Sequence, residues 1–236
     1  VGTRSVYGRV AALIPAAGEG RRMGGTIPKQ FLQLGGREIL ARTLEVFQEC
    51  GAIDDIWVMV AAEQCASCQS TIIERYGFRK VRGIVAGGIT RQESVWLGLQ
   101  RVAEAVDLVV VHDGVRPFVS EDLLQQTLDH AGRYGAAIAA VPLKDTLKRV
   151  SAAGDVEATV PREHLWRIQT PQAFQHALLR RAFQYAWRQG LHATDEAGLI
   201  EALGHPVKIV PAYEHNVKIT TPDDLVFCEM FLRYRA

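Results

Sequence analysis

Short, unbroken apolar runs alternate along the chain with stretches whose apolar positions recur at helical spacing. Residues 10–14, 56–61, 81–85, 108–111, 136–141 and 207–210 read as strands, because a strand buried on both faces carries apolar side chains without alternation. Between them, Ile39, Leu40, Leu44 and Phe47 share one helical face, as do Val95, Leu99 and Val102. Further helices are expected up to Tyr76, over 175–187 and up to Leu203, the last capped by Thr194. Ser120 before Glu121 can accept from the free N–H groups of a first turn. Thr221-Pro222-Asp223-Asp224 combines a capping threonine, proline at the first helical position and acidic residues at the positive dipole end. Residues 31–34 form a short apolar piece turned by Gly35-Gly36, and 216–219 read as a last short strand.

This alternation predicts an α/β fold, with a mostly parallel, Rossmann-like sheet flanked by helices. It stops at residues 144–170. There, two runs, 146–150 and 156–160, flank the turn Ala152-Ala153-Gly154-Asp155 and predict a protruding β-hairpin arm. The chain reads as one domain over residues 1–236, with 144–170 as a dimerisation arm.

Composition narrows the function classes. With 48% apolar and 22% charged residues, a chain of 236 residues can bury a substantial core. A net charge of +1 argues against a broad nucleic-acid surface, so any anion site must be local. No apolar run suggests a membrane span or signal region, and a cytoplasmic location is expected. Cys65 and Cys68 match C-x-x-C, but no second Cys/His pair follows at zinc spacing; they read as ordinary helix-start residues.

Ligands of parallel sheets collect beyond the carboxyl ends of strands. The first strand ends in Pro15-Ala16-Ala17-Gly18-Glu19-Gly20-Arg21-Arg22-Met23, followed by Pro28-Lys29-Gln30. Glycines with bare N–H groups and two nearby cations suit a polyphosphate. A Walker loop would need Gly-Lys-Ser/Thr, and a dinucleotide fingerprint would need a small residue at Met23. A turn with no ligand and a nucleoside-triphosphate loop of a nucleotidyltransferase remain, and the pair Arg22 and Lys29 favours the second. Arg22 and Lys29 would stabilise charge at the α-phosphate, and Asp113 at a strand end is a hard oxygen ligand for magnesium.

The opening motif resembles that of the 2-C-methyl-D-erythritol 4-phosphate cytidylyltransferase family. The likeness continues through Gly87-Gly88 with Arg91 and Ser94-Val95, His112-Asp113-Gly114 with Arg116, Asp145-Thr146-Leu147-Lys148, Gln169-Thr170-Pro171-Gln172, Thr194-Asp195-Glu196-Ala197 and Asn216-Val217-Lys218. The resemblance implies transfer of CMP from CTP to methylerythritol phosphate, with magnesium, release of pyrophosphate and a homodimer sharing sites through the arm. It implies that Ala16, Ala17, Gly18, Gly20, Gly88, Ser94, Asp113 and Gly114 border the nucleotide. Arg22, Lys29, Arg162 and Lys218 would act in catalysis. Arg162 and Lys218, accompanied by Thr146 and Arg116, would orient the acceptor. Two positions depart from the family pattern: His215 stands where an aspartate is usual, and Ile89 where a polar residue is common. Ribitol-5-phosphate cytidylyltransferase and a non-catalytic nucleotide-binding regulator are the alternatives.

Overall fold

The computed structural model describes residues 8–235 apart from 19, 21, 22, 25 and 26. Its central strand, β1 (Val10–Pro15), is apolar throughout because both its faces are covered. Val10, Ala12 and Ile14 face one hydrophobic layer, whereas Ala11 and Leu13 face the other. A two-residue hairpin follows, β2 (Gln33–Leu34) and β3 (Arg37–Glu38), turned at Gly35-Gly36. Then come α1 (Ile39–Glu49), β4 (Asp55–Val60), α2 (Cys65–Cys68), β5 (Val81–Ala86), α3 (Arg91–Leu99), β6 (Leu108–Val111), α4 (Glu121–Tyr134) and β7 (Ala136–Pro142). After the arm hairpin, β8 (Leu147–Val150) and β9 (Val156–Val160), the chain forms β10 (Trp166–Gln175), α5 (His176–Gln189), α6 (Glu196–Ala202), β11 (Lys208–Pro211) and α7 (Pro222–Arg235).

Seven strands form one sheet in the order β11-β7-β10-β6-β1-β4-β5. All neighbours are parallel except those of β10, which runs against both β6 and β7. Apolar residues of α1 and α4 cover one face, and those of α3, α5 and α6 cover the other. Two of the three expected caps form: Ser120 accepts from Leu123 N at 3.1 Å, and Asp224 N donates to Thr221 Oγ1 at 3.3 Å.

Four expectations need correction. Residues 166–170, expected in the arm, belong instead to β10, an interior strand between β7 and β6. Proline 171 and the polar residues around it hide this strand in the sequence; a register shift between Ile168 and Gln172 accommodates them. The cap of α6 is Asp195, whose Oδ1 accepts from Gly198 N at 3.1 Å, and not Thr194. Residues 216–219 form no strand. Side-chain bonds hold them instead, with Asn216 Nδ2 donating to Gln169 Oε1 and the Thr170 carbonyl, both at 2.8 Å. The helix expected up to Tyr76 widens into a π-helical segment at Gln69–Glu74. Cys65 and Cys68 are free thiols within this region, and burial pushes the Cys68 thiol up to about 12.

Candidate active site

The loops leaving β1 and β5 meet above the sheet. Ala16 N donates to the Met59 carbonyl and Gly87 N to the Val60 carbonyl, each at 2.7 Å, so both loops are pinned to the end of β4. A Cβ on Gly87 would lie 2.5 Å from the Ala17 Cβ, which is why this close crossing requires glycine. Ser94 fastens the second loop: its Oγ accepts from Gly88 N at 3.0 Å and donates to the Thr90 carbonyl at 2.9 Å. Glu93 accepts from Ile89 N at 2.8 Å. The Ile89 side chain is left 98% exposed at the rim.

Between these loops lies a cleft lined by Ala16, Ala17, Gly18, Lys29, Gln30, Gly88, Ile89, Arg91, Ser94, Asp113 and Lys218, among others. Of the residues expected to border a nucleotide, Ala16, Ala17, Gly18, Gly88, Ser94 and Asp113 are brought together here. Gly20 lies in an adjoining, more open cleft that shares Ala17, Gly18 and Gly88. Its φ of 67° turns the loop back over Lys29. Gly114 sits beneath the wall instead: its N–H donates to the Pro15 carbonyl, and its carbonyl accepts from Thr43 Oγ1, both at 3.1 Å. Lys29 enters from a short 3₁₀ turn and donates to the Ile219 carbonyl at 3.1 Å. Arg22 lies outside the described residues.

Charge is concentrated on the floor. Asp113 Oδ2 meets Lys218 Nζ at 3.0 Å and Arg116 Nε at 3.2 Å, while Oδ1 lies 3.4 Å from Arg91 Nε. Burial alone would raise this carboxyl, but Lys218, Arg91 and Arg116 together hold it well below the usual carboxylate range. Arg91 is anchored from behind by Glu196, whose two oxygens lie 2.7 and 2.9 Å from Nη1. Arg116 also donates to the Asn216 carbonyl at 2.8 Å. His112, fully buried, is pushed down to about 4 by loss of solvent and bonds the Arg116 carbonyl at 3.1 Å. It is therefore a neutral strut and not a proton carrier near pH 7.

Asp113 suits magnesium as a single hard ligand. Among the described residues there is no cluster of three or more His, Cys, Asp or Glu, so phosphate and water would supply the other ligands. Its Oδ1, with the longer cation contact, is the less engaged oxygen.

A second cleft opens on the other side of this cluster, lined by Arg91, Asp113, Arg116, Ile168, Gln169, Thr170, Gln172, Thr194, Asp195 and Lys218. Gln169, Thr170 and Gln172 of this cleft carry part of the family likeness but no expected site role, because β10 itself was not foreseen. The Gln-Thr-Pro-Gln run was the available signal. Thr146 and Arg162 line neither cleft. Both are exposed on the arm, with the Arg162 guanidinium donating to the Lys144 carbonyl. Glu214, beside the departure at His215, pairs with Lys144 at 3.1 Å and with Arg167.

Residues 10–234 match the family described as 2-C-methyl-D-erythritol 4-phosphate cytidylyltransferase, IspD. The chain belongs to that family. A relative of that name from Geobacter metallireducens is 49% identical over 227 residues, covering 95% of this chain and 97% of its own. The crystal structure of the Thermus thermophilus enzyme of the same name superposes with a TM-score of 0.80 at 40% identity, covering 95% of this chain and 99% of its own. That of 4-diphosphocytidyl-2C-methyl-D-erythritol synthase from Anaerococcus prevotii gives a TM-score of 0.84 at 32% identity, with 96% of each chain covered. The fold expected from the sequence is thus the fold of the family. No helix among the described residues is long and apolar enough to cross a membrane.

Proposed function

We propose that this chain is a cytidylyltransferase that transfers CMP from CTP to methylerythritol phosphate and releases pyrophosphate. The observation that carries this reading is the pair of clefts sharing Arg91, Asp113 and Lys218. One cleft is walled by backbone and suits a nucleotide; the other is polar and suits a phosphorylated polyol. Two anions brought to one cationic seam can react if charge and alignment are supplied.

In this reading, CTP lies along Ala16, Ala17, Gly18, Gly88 and Ser94, with its α-phosphate toward Lys29. The acceptor's phosphate oxygen, already ionised near neutral pH, attacks phosphorus in line, so no protein base is needed. Lys29, with Arg22, stabilises the charge that develops on the α-phosphate and the departing pyrophosphate. Lys218 and Arg116 steady the acceptor from the floor. Magnesium held by Asp113 and the phosphates would neutralise polyphosphate charge beside the leaving group.

The arm suits an obligate partner. Val150 and Val156 on it are 49% and 63% exposed, and Trp166 and Ile168 at its base are each 38% exposed. A second copy of this chain would cover that surface and receive Thr146 and Arg162 beside its own acceptor cleft. The reading is tested by offering methylerythritol phosphate and ribitol 5-phosphate side by side with CTP and magnesium. A preference for ribitol 5-phosphate by about tenfold or more would replace the acceptor. CTP binding without pyrophosphate release would leave a nucleotide-binding regulator.

A further inference from the structure

Glu196 lines neither cleft, yet it is 1% exposed and spends both carboxylate oxygens on Arg91. A carboxylate is not placed in the interior without strong compensation. Burial pushes Glu196 up while Arg91 pulls it down.

Arg91 is the first residue of α3, where the helix dipole is positive and a cation is disfavoured. It also faces Asp113, the acidic residue that holds Lys218. Without Glu196, Arg91 has one carboxylate left to pair with, and the planar guanidinium fork would take both oxygens of Asp113. Lys218, a point charge on a flexible and 36% exposed side chain, would lose that competition. With Glu196 present, Arg91 is satisfied from behind and its Asp113 contact stays long, at 3.4 Å, while Lys218 keeps the 3.0 Å contact. The three cations Arg91, Arg116 and Lys218 against the two carboxylates Asp113 and Glu196 also leave one net positive charge facing the phosphates.

Glu196 is itself placed by the neighbouring cap. Asp195 starts α6 and takes Gln172 Nε2 at 2.8 Å, tying the helix to β10 at the acceptor cleft. The residue therefore sits on a rigid element with little freedom to leave Arg91.

We propose that Glu196 is a positioning residue: by holding Arg91 it keeps Asp113 available to orient Lys218 at the seam between nucleotide and acceptor. This rests on the cytidylyltransferase reading for its kinetic consequence, but not for its structural one.

Two readouts test it. In a crystal structure of Glu196→Gln, Arg91 should close on Asp113 and the Lys218–Asp113 contact should open beyond about 4 Å. An unchanged Lys218 contact overturns the proposal whether or not the chain turns over methylerythritol phosphate. In kinetics, Glu196→Gln should lower kcat by about tenfold or more while the KM for CTP changes by less than about threefold. In an Arg91→Gln background the same substitution should cost nothing further, because its effect runs through Arg91. Wild-type kcat in a folded Glu196→Gln variant, or an equal additional loss in the Arg91→Gln background, would overturn it. If Glu196→Gln alone does not fold, the double variant decides: activity equal to Arg91→Gln supports the assignment, and lower activity refutes it. Wild-type protein that releases no pyrophosphate would instead refute the function, leaving the crystallographic readout to judge Glu196.

Discussion

Replacing Asp113 by asparagine keeps the shape of the floor and removes the charge on which Lys218, Arg116 and Arg91 converge. The three cations do not suffer equally. Lys218 is 36% exposed and can turn to solvent, and Arg91 retains Glu196. Arg116, only 11% exposed, retains the Asn216 carbonyl but no carboxylate at this contact. Breaking a buried ion pair costs about 3–5 kcal/mol. With one trapped guanidinium dominating, the lower end, about 3 kcal/mol, is expected. For a chain of this size, about 2–4 °C of melting temperature is lost per kcal/mol, giving a fall of about 6–12 °C. The dependence on pH has a definite sign. Because the native carboxyl is held below its ordinary range, its contribution is complete above the ordinary carboxylate pKa. It is lost as pH falls through the depressed native value, so the gap between wild type and variant should narrow in acid. Thermal unfolding followed by circular dichroism at neutral and acidic pH measures both. A variant melting within about 2 °C of wild type at neutral pH would refute the argument that this carboxylate holds the cluster together.

Other outcomes follow from the same geometry. Lys29→Ala should lower kcat by about a hundredfold or more, as expected for a lost transition-state donor. It should leave the fold intact, the bond to the Ile219 carbonyl itself being worth about 1 kcal/mol; unaltered turnover would remove Lys29 from the machinery. Mixing Lys29→Ala and Arg162→Ala protomers should restore up to about a quarter of wild-type activity if the arm serves the partner's site. That figure follows because random pairing gives half mixed dimers, each with one intact site; no recovery after verified exchange would place Arg162 elsewhere. His112 should show no imidazole titration by NMR above about pH 5, given a value pushed down to about 4. Its contribution to stability should be complete above about pH 6.5 and decline as pH falls toward the native value. A midpoint near 6.5 would show that the ring is not buried.

The sheet was legible wherever strands were buried on both faces, because an uninterrupted apolar run such as Leu108–Val111, too short for a buried helix and rich in valine, fits a doubly covered strand. The interior strand β10 was not, since its identity depends on partners far away in sequence and its middle carries Gln169, Thr170, Pro171 and Gln172. The loop at Ala16 to Gly18 was visible from its glycines and adjacent cations. The grouping of Arg91, Arg116, Asp113, Glu196 and Lys218 was not, because charges from α3, α6 and two loops converge only when the sheet is assembled. Residues 216–219 mimicked a strand for the same reason: a strand is defined by its ladder, and here side-chain bonds of Asn216 take the ladder's place.

In the proposed reaction, two anionic substrates meet across the seam of Arg91, Asp113 and Lys218. Pyrophosphate release, followed with CTP, methylerythritol phosphate and magnesium present together and with each omitted in turn, tests it most directly. Release only in the complete mixture, matched by formation of the cytidylyl-linked polyol, is the predicted result. Release of pyrophosphate from CTP at the same rate without acceptor, or none in the complete mixture, would contradict it.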